Sequence, residues 1–190
     1  MNNDCTVAEI AQEIKCAIHS ACRMLAIREH SRQQMRLKLI KKGFGDEAIN
    51  HCIEHLIDEN WLSEIRFCNS FIRSKVSKGQ GLTRIESELL RLNIHQTVIE
   101  QQLDIEDIDW QQNCDQVLVK KIRQLSGLFG TMISVPVNFS DDSNQNKLIV
   151  KTSKQKTKLE NFLRYRGFST EEIRIAIKKY VSTDQSRTGS

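Results

Sequence analysis

The chain has 190 residues, 39% hydrophobic and 27% charged, with one proline and eight glycines. That composition excludes a disordered chain and favours long helices over an all-β protein. The net charge of +4 is unevenly spread: residues 1–30 sum to −1, 31–80 to +3, 81–146 to −5 and 147–190 to +7, so the two ends of the chain are expected to meet something negative while its middle does not.

From the N-terminus, MNNDCTVAEIAQEI shows no basic region ahead of an apolar run, and no apolar stretch approaches the roughly 20 residues of a spanning helix. A cytoplasmic protein without a membrane partner is expected. Residues 6–28 carry Val7, Ile10, Ile14, Ala17, Ile18, Ala21 and Leu25 at spacings of three and four, which predicts an amphipathic helix. Ser31 with Gln34 reads as a capping box opening a second helix, and Gly43 as its left-handed stop. A third helix runs from about Asp46 to Glu59, with Ile49, Cys52, Ile53, Leu56 and Ile57 on one stripe. A fourth starts at Ser63 and ends at the KGQG break of 78–81.

The pattern then restarts. Thr83 with Glu86 reads as another capping box, and Met35, Leu39, Phe44 and Ile49 return as Ile85, Leu89, Ile94 and Ile99, an offset of 50. Asn93 stands where Gly43 stood, and asparagine also tolerates the left-handed cap. A long helix follows through Trp110, Leu118, Ile122 and Leu125. Residues 127–153 hold the only proline and a polar SDDSNQN run. A further copy follows at an offset of 124, with Leu159, Leu163, Gly167, Phe168, Ile173 and Ile177, and with Ser169 and Glu172 as its capping box. The implied fold is all-α, an elongated tandem array of three-helix, helix-turn-helix-like repeats behind an N-terminal helix. The expected parts are a lead-in helix (1–30), repeat 1 (31–80), repeat 2 (81–126), a linker (127–153), repeat 3 (154–182) and a frayed tail (183–190).

Catalytic chemistry finds little support. HCIEH at 51–55 matches the His-x-x-Glu-His pattern of inverted zinc proteases, but Ile49, Cys52, Ile53 and Leu56 form that helix's core stripe, which leaves His51 and His55 on its polar flank. The matching positions in the other copies are Gln101 and Ile105, then Ile175 and Lys179. The histidines are read as exposed and structural, not as metal ligands. No dinucleotide, Walker or nucleophile-elbow motif appears, and Gly79 and Gly81 read only as a break between helices. EDID (106–109) reads as a solvated first helical turn favoured by the helix dipole. The six cysteines include no Cys-x-x-Cys pair, and most sit at core-like positions, as small buried hydrophobes in a reducing compartment. A non-enzymatic protein without a cofactor is expected.

Basic residues recur at matching positions: Arg32 with Lys156, Lys41 with Arg91, and Lys42 with Arg166. Arg73, Lys75, Lys78 and Arg84 surround the junction of the first two repeats, Lys156 belongs to a lysine-rich KTSKQKTK ahead of the third, and Arg164 completes LRYRGF. In this last motif Arg164 and Arg166 are the charges that packing is not expected to need. A spaced row of cations is the footprint of phosphate binding or of docking on an acidic surface, against the plainer reading that lysine and arginine keep helix faces soluble. The aromatic residues fall mostly at core offsets, so no base-stacking platform is evident.

IREHSRQQMRLKLIKKGF (27–44), NWLSEIRFCNSFIRSKVSKGQGLTRIESELL (60–90) and KLENFLRYRGFSTEEI (158–173) resemble the RecX family of recombination regulators over about residues 22–125 and 154–181. Its most specific elements are R-x-H/Y-S (Arg28–Ser31), L-x-x-x-R-F (Leu62–Phe67), G-x-G-x-x-x-I (Gly79–Ile85) and F-L-x-x-R-G-F (Phe162–Phe168). DIDW (107–110) is similar to the enterobacterial-type members, and Ser63 stands where the family usually has an acidic residue. The resemblance implies a protein that binds RecA in the groove of its single-stranded DNA filament and limits strand exchange, ATPase and coprotease activity. RecA is then the expected partner, with single-stranded DNA expected ahead of sequence-specific duplex, and a monomer as the acting form. Direct DNA binding, acting by competition for nucleic acid, is the alternative.

Overall fold

The computed structural model describes residues 3–128, 148–150 and 153–183. Among them the chain forms α1 (Asn3–Leu25), α2 (Arg32–Lys41), α3 (Asp46–Asp58), α4 (Glu64–Ser77), α5 (Leu82–Arg91), α6 (Gln96–Glu106), α7 (Trp110–Leu128), α8 (Ser153–Tyr165) and α9 (Thr170–Tyr180). The fold class is all-α, as the periodicity implies. One short addition is β1 (Leu148–Val150), within the stretch read as a linker, paired in parallel with β2 (Val181–Thr183). The first helix starts and stops about three residues earlier than its apolar spacing suggests, and the rest of 127–153 and of the tail lies outside the described residues.

The repeated sequence phrase becomes a repeated backbone. Arg32, Lys41 and Asp46 bound their helices 50 positions before Leu82, Arg91 and Gln96, and Lys41 and Asp46 lie 124 positions before Tyr165 and Thr170. The turn in each copy is left-handed, at Gly43 (φ 88°), Asn93 (φ 57°) and Gly167 (φ 88°). The following residue donates its N–H back to the carbonyl five positions earlier: Phe44 to Leu39 at 3.3 Å, Ile94 to Leu89 at 3.2 Å and Phe168 to Leu163 at 3.3 Å. This Schellman closure satisfies carbonyls that the helix end would otherwise leave unpaired.

The start of the next helix is solved differently each time. Ser169 and Glu172 form the reciprocal capping box of α9. His95 accepts from the Thr97 N–H at the head of α6. Gly45 has no side chain to offer α3, and its own N–H donates to Glu13 Oε1 of α1 at 2.7 Å. Two expected caps are corrected. Ser31 does accept from the Gln34 N–H, but the Gln34 amide oxygen instead takes a hydrogen bond from Arg28 Nη1 at 3.2 Å. Thr83 is not the N-cap of α5: the helix begins at Leu82, one residue before it, and the N–H groups of Gly81 and Thr83 donate to the carbonyls of Arg166 (2.8 Å) and Gly167 (3.2 Å).

The chain divides into two compact units, Met1–Ser74 with Ser87–Asp107, and Lys75–Glu86 with Ile108–Ser190. In the first, α1 packs on α2 and α3, burying Ala17, Ala21, Met35, Leu39, Ile49, Cys52, Leu56 and Leu62. In the second, α7 packs on α8 and α9 around Cys114, Leu118, Ile122, Leu159, Leu163, Phe168, Ile173, Ala176, Ile177 and Val181. Cys52, Cys68 and Cys114 are buried, whereas Cys16 is exposed and Cys22 half-buried, so the core reading fits three of these five. Burial pushes the thiols of Cys52 and Cys68 up to about 11 and that of Cys114 to about 12, which keeps them protonated and unreactive.

Candidate partner and nucleic-acid interface

Each unit is closed by an arginine clasp, and the four most distinctive sequence phrases supply the clasps. In the first unit Arg66 of α4 reaches the segment ahead of α2. Its Nε lies 2.9 Å from Glu29 Oε1, and its Nη2 donates to the carbonyls of Asn60 (2.9 Å) and Trp61 (3.0 Å). Asn60 is left-handed (φ 55°). The partner Arg66 finds is therefore Glu29, 37 residues away, while Ser63 merely accepts from the Arg66 N–H at 3.4 Å. Beside Glu29, His30 is 2% exposed, with Nδ1 2.9 Å from the Arg28 carbonyl. Desolvation lowers its pKa, so His30 is neutral at physiological pH and donates from Nδ1.

In the second unit the turn between α8 and α9 locks onto the turn before α5. Arg166 Nη1 donates to the carbonyls of Lys78 (2.7 Å) and Gly79 (3.0 Å), and its guanidinium carbon lies 4.8 Å from the centre of the Phe162 ring. Arg84 Nη1 donates to the Tyr165 carbonyl at 3.0 Å, with its guanidinium 5.0 Å from the Tyr165 ring centre. Gly79 and Gly81 are thus contact points as well as a break. A Cβ on Gly81 would collide with the backbone of Gly167 and Phe168, and one on Gly79 would meet Val117 Cγ2 at 2.5 Å.

The recurring cations consequently differ in what they can offer. Arg166 and Arg84 hold the clasp, so Arg166 is a charge that packing does use. Arg32 lies 3.4 Å from Glu64. Arg73 lies 2.9 Å from Glu106, a carboxylate that also accepts from Asn69 at 2.6 Å. That corrects the reading of EDID: Glu106 ends α6 with a side chain only 11% exposed, Asp107 is a left-handed cap, and only Asp109 serves a helix start, accepting from the Gln112 N–H at 2.8 Å. The hydrogen bond from Arg73 holds the Glu106 carboxyl below its ordinary range, against the opposing effect of burial.

Lys41, Lys42, Arg91 and Arg164 are exposed, and none is ion-paired to a carboxylate among the described residues; Arg164 donates to the Asn161 amide oxygen at 2.8 Å. All four stand in the last turn or at the cap of α2, α5 or α8. Lys75 and Lys156 are half-buried, and Lys78 is exposed.

Within the second unit Lys78 and Arg166 line a cleft of about 530 Å³ with Lys120, Lys121, Asn113 and three glutamines of α7. Lys120 and Lys121 have no basic counterpart at the offset of 50, where Ser70 and Phe71 stand; what marks this face in the sequence is the i, i+4 spacing of Gln112, Gln116, Lys120 and Gln124 on one helix. His51 and His55 are exposed, and no group of three or more metal-ligating side chains occurs among the described residues. None of the described helices is long and apolar enough to cross a membrane.

The family model for the RecX first three-helix domain matches residues 17–56. Proteins named Regulatory protein RecX are similar over most of their length: that of Halorhodospira halophila is 30% identical, covering 83% of this chain and 83% of its own. That of Pseudomonas entomophila is 31% identical, covering 81% and 84%. Among solved structures, RecX from Lactobacillus salivarius superposes with a TM-score of 0.61 at 19% identity, over 88% of this chain and 96% of that one. A second RecX crystal structure gives 0.69 at 12% identity, over 94% and 79%, and both likenesses are likenesses of fold.

Proposed function

The chain belongs to the RecX family, and from that premise we propose that it binds the RecA–single-stranded DNA filament and damps RecA's recombinase, ATPase and coprotease activities. In this reading it is a cytoplasmic monomer without catalysis of its own. Its repeats are 31–80, 81–126 and 154–182, and these present the contact surface. The observation that carries the reading is the placement of exposed cations at the C-terminal end of one helix in each copy: Lys41 and Lys42 closing α2, Arg91 closing α5 and Arg164 in the last turn of α8. A repeated cation suits a filament, itself a repeating polyanion.

The test reverses Lys41, Lys42, Arg91 and Arg164 to glutamate, sparing Arg73, Arg84 and Arg166 because their partners lie within the molecule. The concentration that half-inhibits RecA's DNA-dependent ATPase should rise at least tenfold, with the helical spectrum intact. An unchanged concentration would show that this surface is not the contact. Competition for bare DNA is the second reading, favoured by the cationic cleft of α7, and equal affinity for bare strand and for filament would support it.

A further inference from the structure

The cleft along α7 has a composition of its own. Four cations border it, Lys78, Lys120, Lys121 and Arg166, with Asp109 as the opposing charge, and that aspartate already accepts from the Gln112 N–H. None of the four cations is ion-paired to a carboxylate among the described residues. Both hydrogen bonds of Arg166 use Nη1, so its other nitrogens find no acceptor among those residues. Between the charges stand neutral amides. Gln112, Gln116, Lys120 and Gln124 follow one another at i, i+4 and therefore share one face of α7, each about 6 Å from the next along the axis. Amides and lysines in a row suit a chain of oxyanions better than a single ion.

The aromatic residue of the cleft narrows the ligand further. Phe162 has the Arg166 guanidinium carbon 4.8 Å and Lys121 Nζ 5.2 Å from its ring centre, so the ring is occupied by cations and offers no platform for a base. The same occupation removes the aromatic anchor that a docked polypeptide would use, and the apolar side chains left in the lining, Val76, Ile108 and Val117, are small beside its row of cations and amides. We propose that this cleft binds the sugar-phosphate backbone of a single nucleic-acid strand without reading its bases, with Lys120 and Lys121 as the principal phosphate contacts and Gln112, Gln116 and Gln124 as hydrogen-bonding neighbours. The proposed phosphate contacts lie on α7 and are not among the recurring cations, of which only Arg166 borders the cleft. The site rests on the functional reading above only in that the partner contains a nucleic-acid strand.

The experiment is a salt titration of the full-length protein with fluorescent 20-mers of oligothymidylate and oligodeoxyadenylate, without RecA. The variants are Lys120→Gln/Lys121→Gln and the charge-matched Lys158→Gln/Lys178→Gln, which lies outside the cleft; circular dichroism verifies folding. Each phosphate contact on a single strand contributes about 0.7 to the slope of log affinity against log salt, so the cleft variant should lose about 1.4 from that slope and bind at least tenfold more weakly. The control should keep the wild-type slope, and the two oligomers should bind within about threefold of each other.

Four outcomes would overturn the proposal. These are wild-type protein that does not bind the oligomers, equal loss of slope in both variants, competition by a polyglutamate 20-mer or a nucleoside triphosphate as effective as that by unlabelled oligothymidylate, and strong preference for one base. Because RecA is absent, any of them would leave the filament reading to be judged by its own ATPase test.

Discussion

Gly43 and Gly167 occupy the same turn of two copies and share φ 88°, yet they are not equivalent. Around Gly43 a Cβ would meet nothing within 4 Å, whereas at Gly167 it would collide with the backbone and Cβ of Arg84. A left-handed conformation costs an L side chain roughly 1–2 kcal/mol relative to glycine. Gly43→Ala should therefore lower stability by about that amount, while Gly167→Ala must also push α5 away from the turn and should cost clearly more. Chemical denaturation of the two variants measures the difference, and equal losses would mean that the clasp is not held in solution. The arginines show the same dependence on surroundings. Lys42 and Arg166 are matched in sequence, but one is exposed and the other donates to two carbonyls within its unit.

Helices and turns were legible where their cause is local. Apolar spacing, the left-handed Gly and Asn, and the Ser169–Glu172 box all act within a few residues, so counting offsets was enough to place them. Gly45, His95 and Ser169 show where that method ends, since equivalent positions hold a glycine whose own N–H goes to Glu13 of α1, a capping imidazole and a capping serine. The clasps were not legible because their partners lie far apart in the chain. Nothing near Arg66 marks Glu29 as its partner, and nothing near Thr83 shows that Gly167 supplies the acceptor for its N–H. EDID misled for the same reason, as the partner of Glu106 is Arg73 of α4, 33 residues earlier. That pair makes a pH prediction. The carboxyl of Glu106 is depressed in the folded state, so its contribution is fully present above the ordinary glutamate pKa of about 4.3 and fades as pH falls through the lower folded value. In urea denaturation, Glu106→Gln should be less stable than wild type at pH 7, by a margin that shrinks below about pH 4. A margin unchanged at pH 3 would refute the pairing.

The whole molecule is written in repeats but divides differently in space, for the compact units take parts of α4 and α5 on either side of their boundaries. A repeat with an apolar stripe cannot bury it alone, and the core of the second unit shows how the stripe is covered. Of its ten buried residues, Leu159, Leu163, Phe168, Ile173, Ala176, Ile177 and Val181 come from beyond residue 152, against Cys114, Leu118 and Ile122 from α7. The same C-terminal segment brings Asp115 its partners Lys179 (3.1 Å) and Tyr180 (3.4 Å), and it brings the N-terminus of α5 its two carbonyl acceptors. A chain ending at residue 152 loses all of these together. Removing one large buried side chain costs about 2–5 kcal/mol, and several such losses exceed the roughly 5–15 kcal/mol that holds a domain folded. The truncated chain should therefore expose α7. Limited trypsin digestion with mass spectrometry should then find cleavage after Lys120, Lys121 and Arg123 at least tenfold faster than in the full chain. The segment around Arg36 and Lys38, whose core is Met35, Leu39, Ile49, Cys52 and Leu56, should remain comparatively resistant. If α7 kept its protection without the C-terminal helices, its buried face would need another cover, and the third copy of the repeat would be an appendage to the fold, not its closing element.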